Sequence, residues 1–162
     1  MSRAVITAFY DAFARLDGAA MEAAYAEHAT FRDPAFSLDG RARIGGMWRM
    51  LTDVTREKGK DVWKLEASAI TDDSAHWEAH YRFSATGRMV HNIIEARFTF
   101  DQDGKIATHA DTFDFWRWSR QSLGTPGLLL GWSPMLRNKV RATAARNLDG
   151  YLAKNPAKNP AQ

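Results

Sequence analysis

The 162-residue chain contains no cysteine. That excludes a disulfide framework and thiolate chemistry, and it fits a reducing, cytoplasmic setting, the expected location. Long apolar runs are missing too. Arg3, Asp11, Arg15 and Asp17 interrupt the first residues, so no signal-peptide core is expected there. The longest apolar candidate, Gly127 to Trp132, falls far short of the roughly 20 residues of a membrane helix, and no membrane partner is expected. Neither charge sign dominates, for the net charge is +3. Its cations gather late, at Arg117, Arg120, Arg137, Lys139, Arg141, Arg146, Lys154 and Lys158. They read as a solvated helix face. No nucleic-acid motif accompanies them, so no nucleic-acid partner is expected. A metal signature is also lacking: the five histidines stand at 28, 76, 80, 91 and 109, and the His76/His80 spacing suits a helix but falls in a strand pattern. No metal and no cofactor are expected.

What is present is core material. Apolar residues make up 45% and aromatics 12%, enough for one domain with a sizeable core. Residues 3–16 place Val5, Ala8, Phe9, Ala12, Phe13 and Leu16 at helical steps. A second, Ala-rich helix is predicted over Ala19 to His28, then a short extended piece to Pro34. A third helix follows from Arg41 to Glu57, with Ile44, Met47, Trp48, Leu51 and Val54 on its buried stripe. From Val62 the period becomes two. Strands are predicted over Val62–Ile70, His76–Thr86, Val90–Phe100 and Lys105–Phe115, the last two joined by the hairpin turn Asp101-Gln102-Asp103-Gly104. Helical periodicity returns with Trp116–Leu123. A turn, GLLLGW, follows, and then a last helix capped by Ser133-Pro134 and reaching Leu152. The Pro-containing tail, residues 154–162, reads as disordered.

Helices followed by a meander of long strands is an α+β order. A curved antiparallel sheet wrapped on the N-terminal helices makes a cone. Three motifs in sequence carry a resemblance: FYDAFARLDGAAMEAAYAEHATFRDP, then SLDGRARI opening a helix, then DQDGKI in the final hairpin. In this order and spacing the chain resembles the nuclear-transport-factor-two-like, or SnoaL-like, superfamily, which implies a cystatin-like α+β barrel. It holds ketosteroid isomerases, polyketide cyclases and limonene epoxide hydrolases. The chain reads as a single domain, residues 1–153. Its helical extension, 116–153, resembles a bacterial subgroup of the superfamily.

Candidate chemistry rests on carboxylates among aromatics. Asp33, in HATFRDP, resembles the general base of the ketosteroid isomerases. That resemblance puts the oxyanion Tyr and Asp of those enzymes at Phe9 and Ala96, where both donors are missing; Tyr10 is adjacent to the first. Asp111, in HADTFD, resembles the water-activating Asp of the epoxide hydrolases, and SnoaL-type cyclases also place an acid/base Asp late in the sheet. The partner spacing of the hydrolases falls on Glu78 and His80, on the outward face. By alternation His109 shares a face with Asp111, a pair suited to acid/base work. Asn92 is a polar intrusion among Ile94, Ala96 and Phe98 and reads as a ligand-binding residue that hydrogen-bonds substrate. Tyr10, Trp48, Tyr81, Phe98, Phe113 and Trp116 read as ligand-binding wall. The expected partner is an apolar or polycyclic small molecule. The resemblance also implies a homodimer through the outer sheet face, where His76, Glu78, His80, Arg82 and Arg97 lie. Three functions stay open: a cofactor-free acid/base enzyme of cyclase, epoxide hydrolase or isomerase type; a non-catalytic ligand-binding or dimeric interaction module with a side-chain-filled cavity; or, third in rank, an interaction with anionic lipid or nucleic acid through the Arg-rich last helix and the exposed GLLLGW.

Overall fold

Alternation of apolar and polar residues sets the inner and outer faces of a sheet. A computed structural model, describing residues 1–156, realises this alternation in six strands among six helices. In chain order they are α1 (Ser2–Ala14), α2 (Gly18–Ala23), β1 (Tyr25–Arg32), β2 (Ser37–Asp39), α3 (Arg41–Lys58), β3 (Lys64–Ser68), β4 (Ser74–Arg82), β5 (Met89–Phe100), β6 (Ile106–Thr112), α4 (Phe115–Leu123), α5 (Thr125–Leu130) and α6 (Pro134–Lys154). The expected tail lies, from residue 157 on, outside the described residues.

The sheet runs β2-β1-β6-β5-β4-β3. The meander β3 to β6 is antiparallel, while β1 lies parallel to β6. The sheet is curled and unclosed, so that α3 touches both β1 and β4. α1 and α3 fill the concave side, and the main core gathers there: Ile6, Phe9, Tyr10, Phe13, Met47 and Trp48 against Phe31, Trp77, Ile94 and Phe98. Burying each large apolar side chain contributes roughly 1.5–3 kcal/mol, which makes this aromatic cluster the main stabilising unit.

Three expectations need correction. The helix predicted over Ala19–His28 stops at Ala23, and the chain turns extended at Tyr25. There the Ile106 amide donates to the Ala24 carbonyl at 2.9 Å, and Tyr25, Ala29 and Phe31 point into the core. Alanine's helix preference is worth well under 1 kcal/mol per residue, less than this ladder and burial supply. On α3, Leu51 is 37% exposed while Thr52 is fully buried, so the stripe is rotated from the predicted one. Finally, β6 ends at Thr112. The Asp114 carboxylate accepts the Arg117 amide at 3.0 Å and starts α4 one residue early, at Phe115.

Candidate functional site

His109 and Asp111 alternate on β6 and face the concave interior, 1% and 4% exposed. A chain of hydrogen bonds runs through them. The Trp48 indole N–H donates to the Tyr25 hydroxyl oxygen at 3.0 Å, Tyr25 lies 2.7 Å from His109 Nδ1, and His109 Nε2 lies 2.9 Å from Asp111 Oδ1. Donor counting fixes its direction. Burial raises the Tyr25 pKa well above its ordinary value, so the phenol keeps its proton. With its oxygen already accepting from Trp48, that proton goes to Nδ1. His109 therefore carries its own proton on Nε2 and donates to the Asp111 carboxylate. The second Asp111 oxygen accepts no hydrogen bond from the described residues.

The interior around this pair is filled by rings. Phe98, Phe31 and Phe9 stand 4.3, 5.0 and 5.6 Å from the His109 ring, centroid to centroid. Phe9 and Ala96, the positions matched to the isomerase donors, both touch the pair: Phe9 packs on His109, and Ala96 is the β5 partner of Asp111. Two further donors lie inside: Tyr10, expected as ligand-binding wall, and Trp77, to which sequence reasoning gave no such role. The Tyr10 hydroxyl and the Trp77 indole N–H are buried without a partner among the described residues, on rings 5.9 Å apart. An unpaired buried donor costs about 1–3 kcal/mol, so each stands ready for an acceptor. Burial first, and then the Asp111 charge, raise the Tyr10 pKa well above the ordinary phenol value. Tyr10 also borders a cleft of about 160 Å³ between α1 and β3, lined by Thr7, Leu65, Ala67 and Ile70.

Asp33 follows β1 and is half-buried. Its Oδ1 accepts the Ala35 and Phe36 amides at 2.7 and 2.6 Å, an Asx turn before Pro34. Burial pushes its pKa up to about 7; the Asp111 charge adds to the rise, while the two amides and Arg141 oppose it. The folded value stands above the unfolded one, so the folded state favours the acid form. The stability cost is absent below about pH 4, grows as pH rises toward 7, and is complete above that. Asp33→Asn keeps the turn acceptor and removes the charge. It should therefore stabilise the protein by on the order of 2 kcal/mol at about pH 8, after discounting for partial solvent exposure, and change little near pH 4. Urea denaturation at the two pH values decides; an equal difference at both would contradict the burial argument.

The other predicted residues divide. Tyr10, Trp48 and Phe98 lie in the core around His109. Tyr81 is bound through its hydroxyl to the Trp118 indole N–H at 2.8 Å, in a second cluster with Val90 and Phe115, where burial pushes its pKa up to about 12. Phe113 bridges both clusters. Asn92 is half-buried opposite Ala79, and its amide makes no hydrogen bond to the described residues. Trp116 is a correction: it does not line the interior. It is exposed on α4, under the Arg120 guanidinium, and donates to the Leu128 carbonyl. Placing Phe115 at the helix start turns Trp118 inward in its stead. On the outer face, His76 lies between Glu95 and Glu78, whose hydrogen bonds raise its pKa, and His91 reaches the other Glu78 oxygen. Among the described residues no group of three His, Cys, Asp or Glu is arranged to hold a metal ion.

A curled, unclosed sheet packed over helices, with ionisable groups on its concave face, defines an α+β cone protein. The chain belongs to the SnoaL-like domain family, whose sequence model matches residues 6–109. No curated protein matches it. Solved structures share its fold. An LEH-like epoxide hydrolase of M. tuberculosis is 16% identical, with a TM-score of 0.58 over 79% of this chain and 92% of its own. An epoxide hydrolase/cyclase-like enzyme of pyran ring formation in the polyether salinomycin is 16% identical, with a TM-score of 0.56 over 69% of this chain and 89% of its own. A cystatin-like bacterial protein from Silicibacter pomeroyi is 10% identical, with a TM-score of 0.53 over 93% and 86%. At these identities the likeness is one of fold.

Proposed function

We propose that the chain is a cofactor-free acid/base enzyme acting on an apolar small molecule, of the cyclase, epoxide hydrolase or isomerase kind, with Asp111 as its base. The observation carrying this reading is the buried His109–Asp111 pair, with one carboxylate oxygen that accepts no hydrogen bond from the described residues, in an interior that also holds the donors of Tyr10 and Trp77, unpaired among those residues. In this mechanism the free oxygen of Asp111 takes a proton from substrate carbon or from water. His109 keeps the carboxylate oriented, and Tyr25 and Trp48 hold the imidazole in its tautomer. Tyr10 and Trp77 donate to an oxygen gaining charge, a role worth on the order of a hundredfold in rate per donor. Asp33, titrating near neutral pH, serves as the proton donor.

A test follows from a panel of apolar epoxides and enolisable polyketide-like ketones. Asp111→Asn should lower any turnover found by at least about a hundredfold while leaving substrate retention and the folded state in place. Turnover that persists would remove Asp111 from the base role. The ring-filled interior favours the second reading, a ligand-binding or interaction module. Native mass spectrometry showing a retained small molecule, with no turnover across the panel, selects it.

A further inference from the structure

The segment from α4 to the start of α6 carries an apolar surface that the fold does not use. Glycine sets its orientation. A Cβ on Gly127 would sit 1.8 Å from the Ser119 carbonyl oxygen, and one on Gly131 would sit 2.2 Å from Ser119 Oγ. Only glycine lets α5 lie this close to α4, and the large side chains point the other way. Leu129 and Trp132 are 61% and 71% exposed, and Leu128, Leu130, Met135 and Trp116 are exposed beside them. Single exposed apolar residues need no explanation, but a contiguous group marks a contact surface.

Charge identifies what it contacts. Between Asp114 and Asp149 the chain has no acidic residue, yet it holds Arg117, Arg120, Arg137, Lys139, Arg141 and Arg146. Among the described residues none of these six is ion-paired. Arg120 lies over the exposed Trp116 ring at 4.6 Å, which seats a cation directly on the aromatic surface, and Arg137 covers the buried Phe115 ring at 5.2 Å beneath it. A two-fold pairing of two copies through this face would set the cations against themselves. A nucleic acid would give the leucines no apolar phase to enter. Leucine, tryptophan and unpaired arginine together match the interface of a bilayer, where acyl chains meet charged headgroups.

We propose that α4, α5 and the first turn of α6 form a peripheral docking face for membranes rich in anionic phospholipid. Leu128 to Trp132 enter the acyl boundary, and the arginines reach the headgroups. This takes up the third function left open by the sequence, against the leading expectation of no membrane partner. No helix among the described residues is long and apolar enough to cross a bilayer, so the contact is interfacial.

The test is flotation of the full chain with vesicles of phosphatidylcholine alone or mixed with phosphatidylserine. Binding is expected to the mixed vesicles at low salt and to fall at least about tenfold at high salt, since each cation near the surface contributes roughly fivefold. The double variant Leu129→Glu/Trp132→Glu should abolish it. Both residues are exposed, so the variant should melt with the wild type. If it does not fold, brominated lipids give the answer in the wild type, where quenching of tryptophan fluorescence on binding is expected. No binding at low salt, equal binding to neutral vesicles, retention by the folded variant, or absence of quenching would each overturn the proposal. So would lipid-free sedimentation in which the wild type self-associates and the variant does not, because a second copy would then occupy the face.

Discussion

His109→Ala is expected to lose about 3–5 kcal/mol of stability, measured by chemical denaturation at neutral pH. The imidazole is the joint of the buried chain, and its removal leaves three groups in deficit. Asp111 is left at 4% exposure without the one hydrogen-bond donor that the described residues give it. The Tyr25 hydroxyl, still accepting from Trp48, loses the acceptor for its own proton. The rings of Phe9, Phe31 and Phe98 lose a packing partner and border a cavity. The unpartnered buried carboxyl group accounts for most of the effect, and a second variant shows this. His109→Leu/Asp111→Leu removes both members together and should recover most of the loss, because an apolar pair needs no desolvation compensation. A loss under about 1 kcal/mol for His109→Ala would mean that water reaches Asp111 and that the pair is not structurally enclosed.

Gly127→Ala should destabilise the protein by about 1–3 kcal/mol, against the sign of helix propensity, which favours alanine by about 1 kcal/mol. The obstruction is backbone. The added methyl would meet the Ser119 carbonyl oxygen at 1.8 Å and its carbon at 2.2 Å, and neither can swing aside as a flexible side chain does. Relief requires α5 to lift from α4. That would break the Trp116 indole bond to the Leu128 carbonyl and the contact of the Ser119 hydroxyl with the Gly127 carbonyl. Hydrogen exchange should locate the damage: the Gly131 amide, bonded to the Gly127 carbonyl at 2.9 Å, becomes unprotected while the β4–β5 ladder stays slow. A stabilised variant would show that the two helices are not in this contact.

Legibility in the sequence followed locality. Alternation along 76–83, 90–100 and 106–112 placed Trp77, Phe98, His109 and Asp111 inside, because a strand's side chains need only a period of two to choose a face. α1 and α3 were legible by the same logic at a period of 3.6. Tyr25 was not. Its neighbours are Ala24, Ala26 and Glu27, good helix formers, and what makes it extended is β6, some eighty residues on in the chain. Missing that pairing also hid the partner of His109 Nδ1, and with it the tautomer. The alternation of Tyr25, Ala29 and Phe31 on one side was the available signal. That Tyr10, expected as ligand-binding wall, and Trp77, expected inside, hold unpaired donors escaped for another reason: a missing hydrogen bond is a property of the packed interior, and no spacing announces it. Trp118 rather than Trp116 turns inward because Asp114 capped the helix one residue sooner than the aromatic run suggested.

The parallel pairing of β1 with β6 also has a meaning in time. Chain growth delivers β1 and its outer partner β2 long before its inner neighbour β6, whereas β3, β4, β5 and β6 are joined in turn through short connections. Until Ile106–Thr112 has been made, the inner edge of β1 is an open row of amides, and α1 and α3 have half a sheet to close on. The meander is therefore the piece able to organise first, and the N-terminal third waits for it, since distant contacts repay their loop-closure entropy only once formed. His109, on the strand that ends the wait, bonds to Tyr25 at the start of β1. The bond that sets the imidazole's tautomer thus joins the strands between which the sheet is completed, and the site exists only when the sheet is whole.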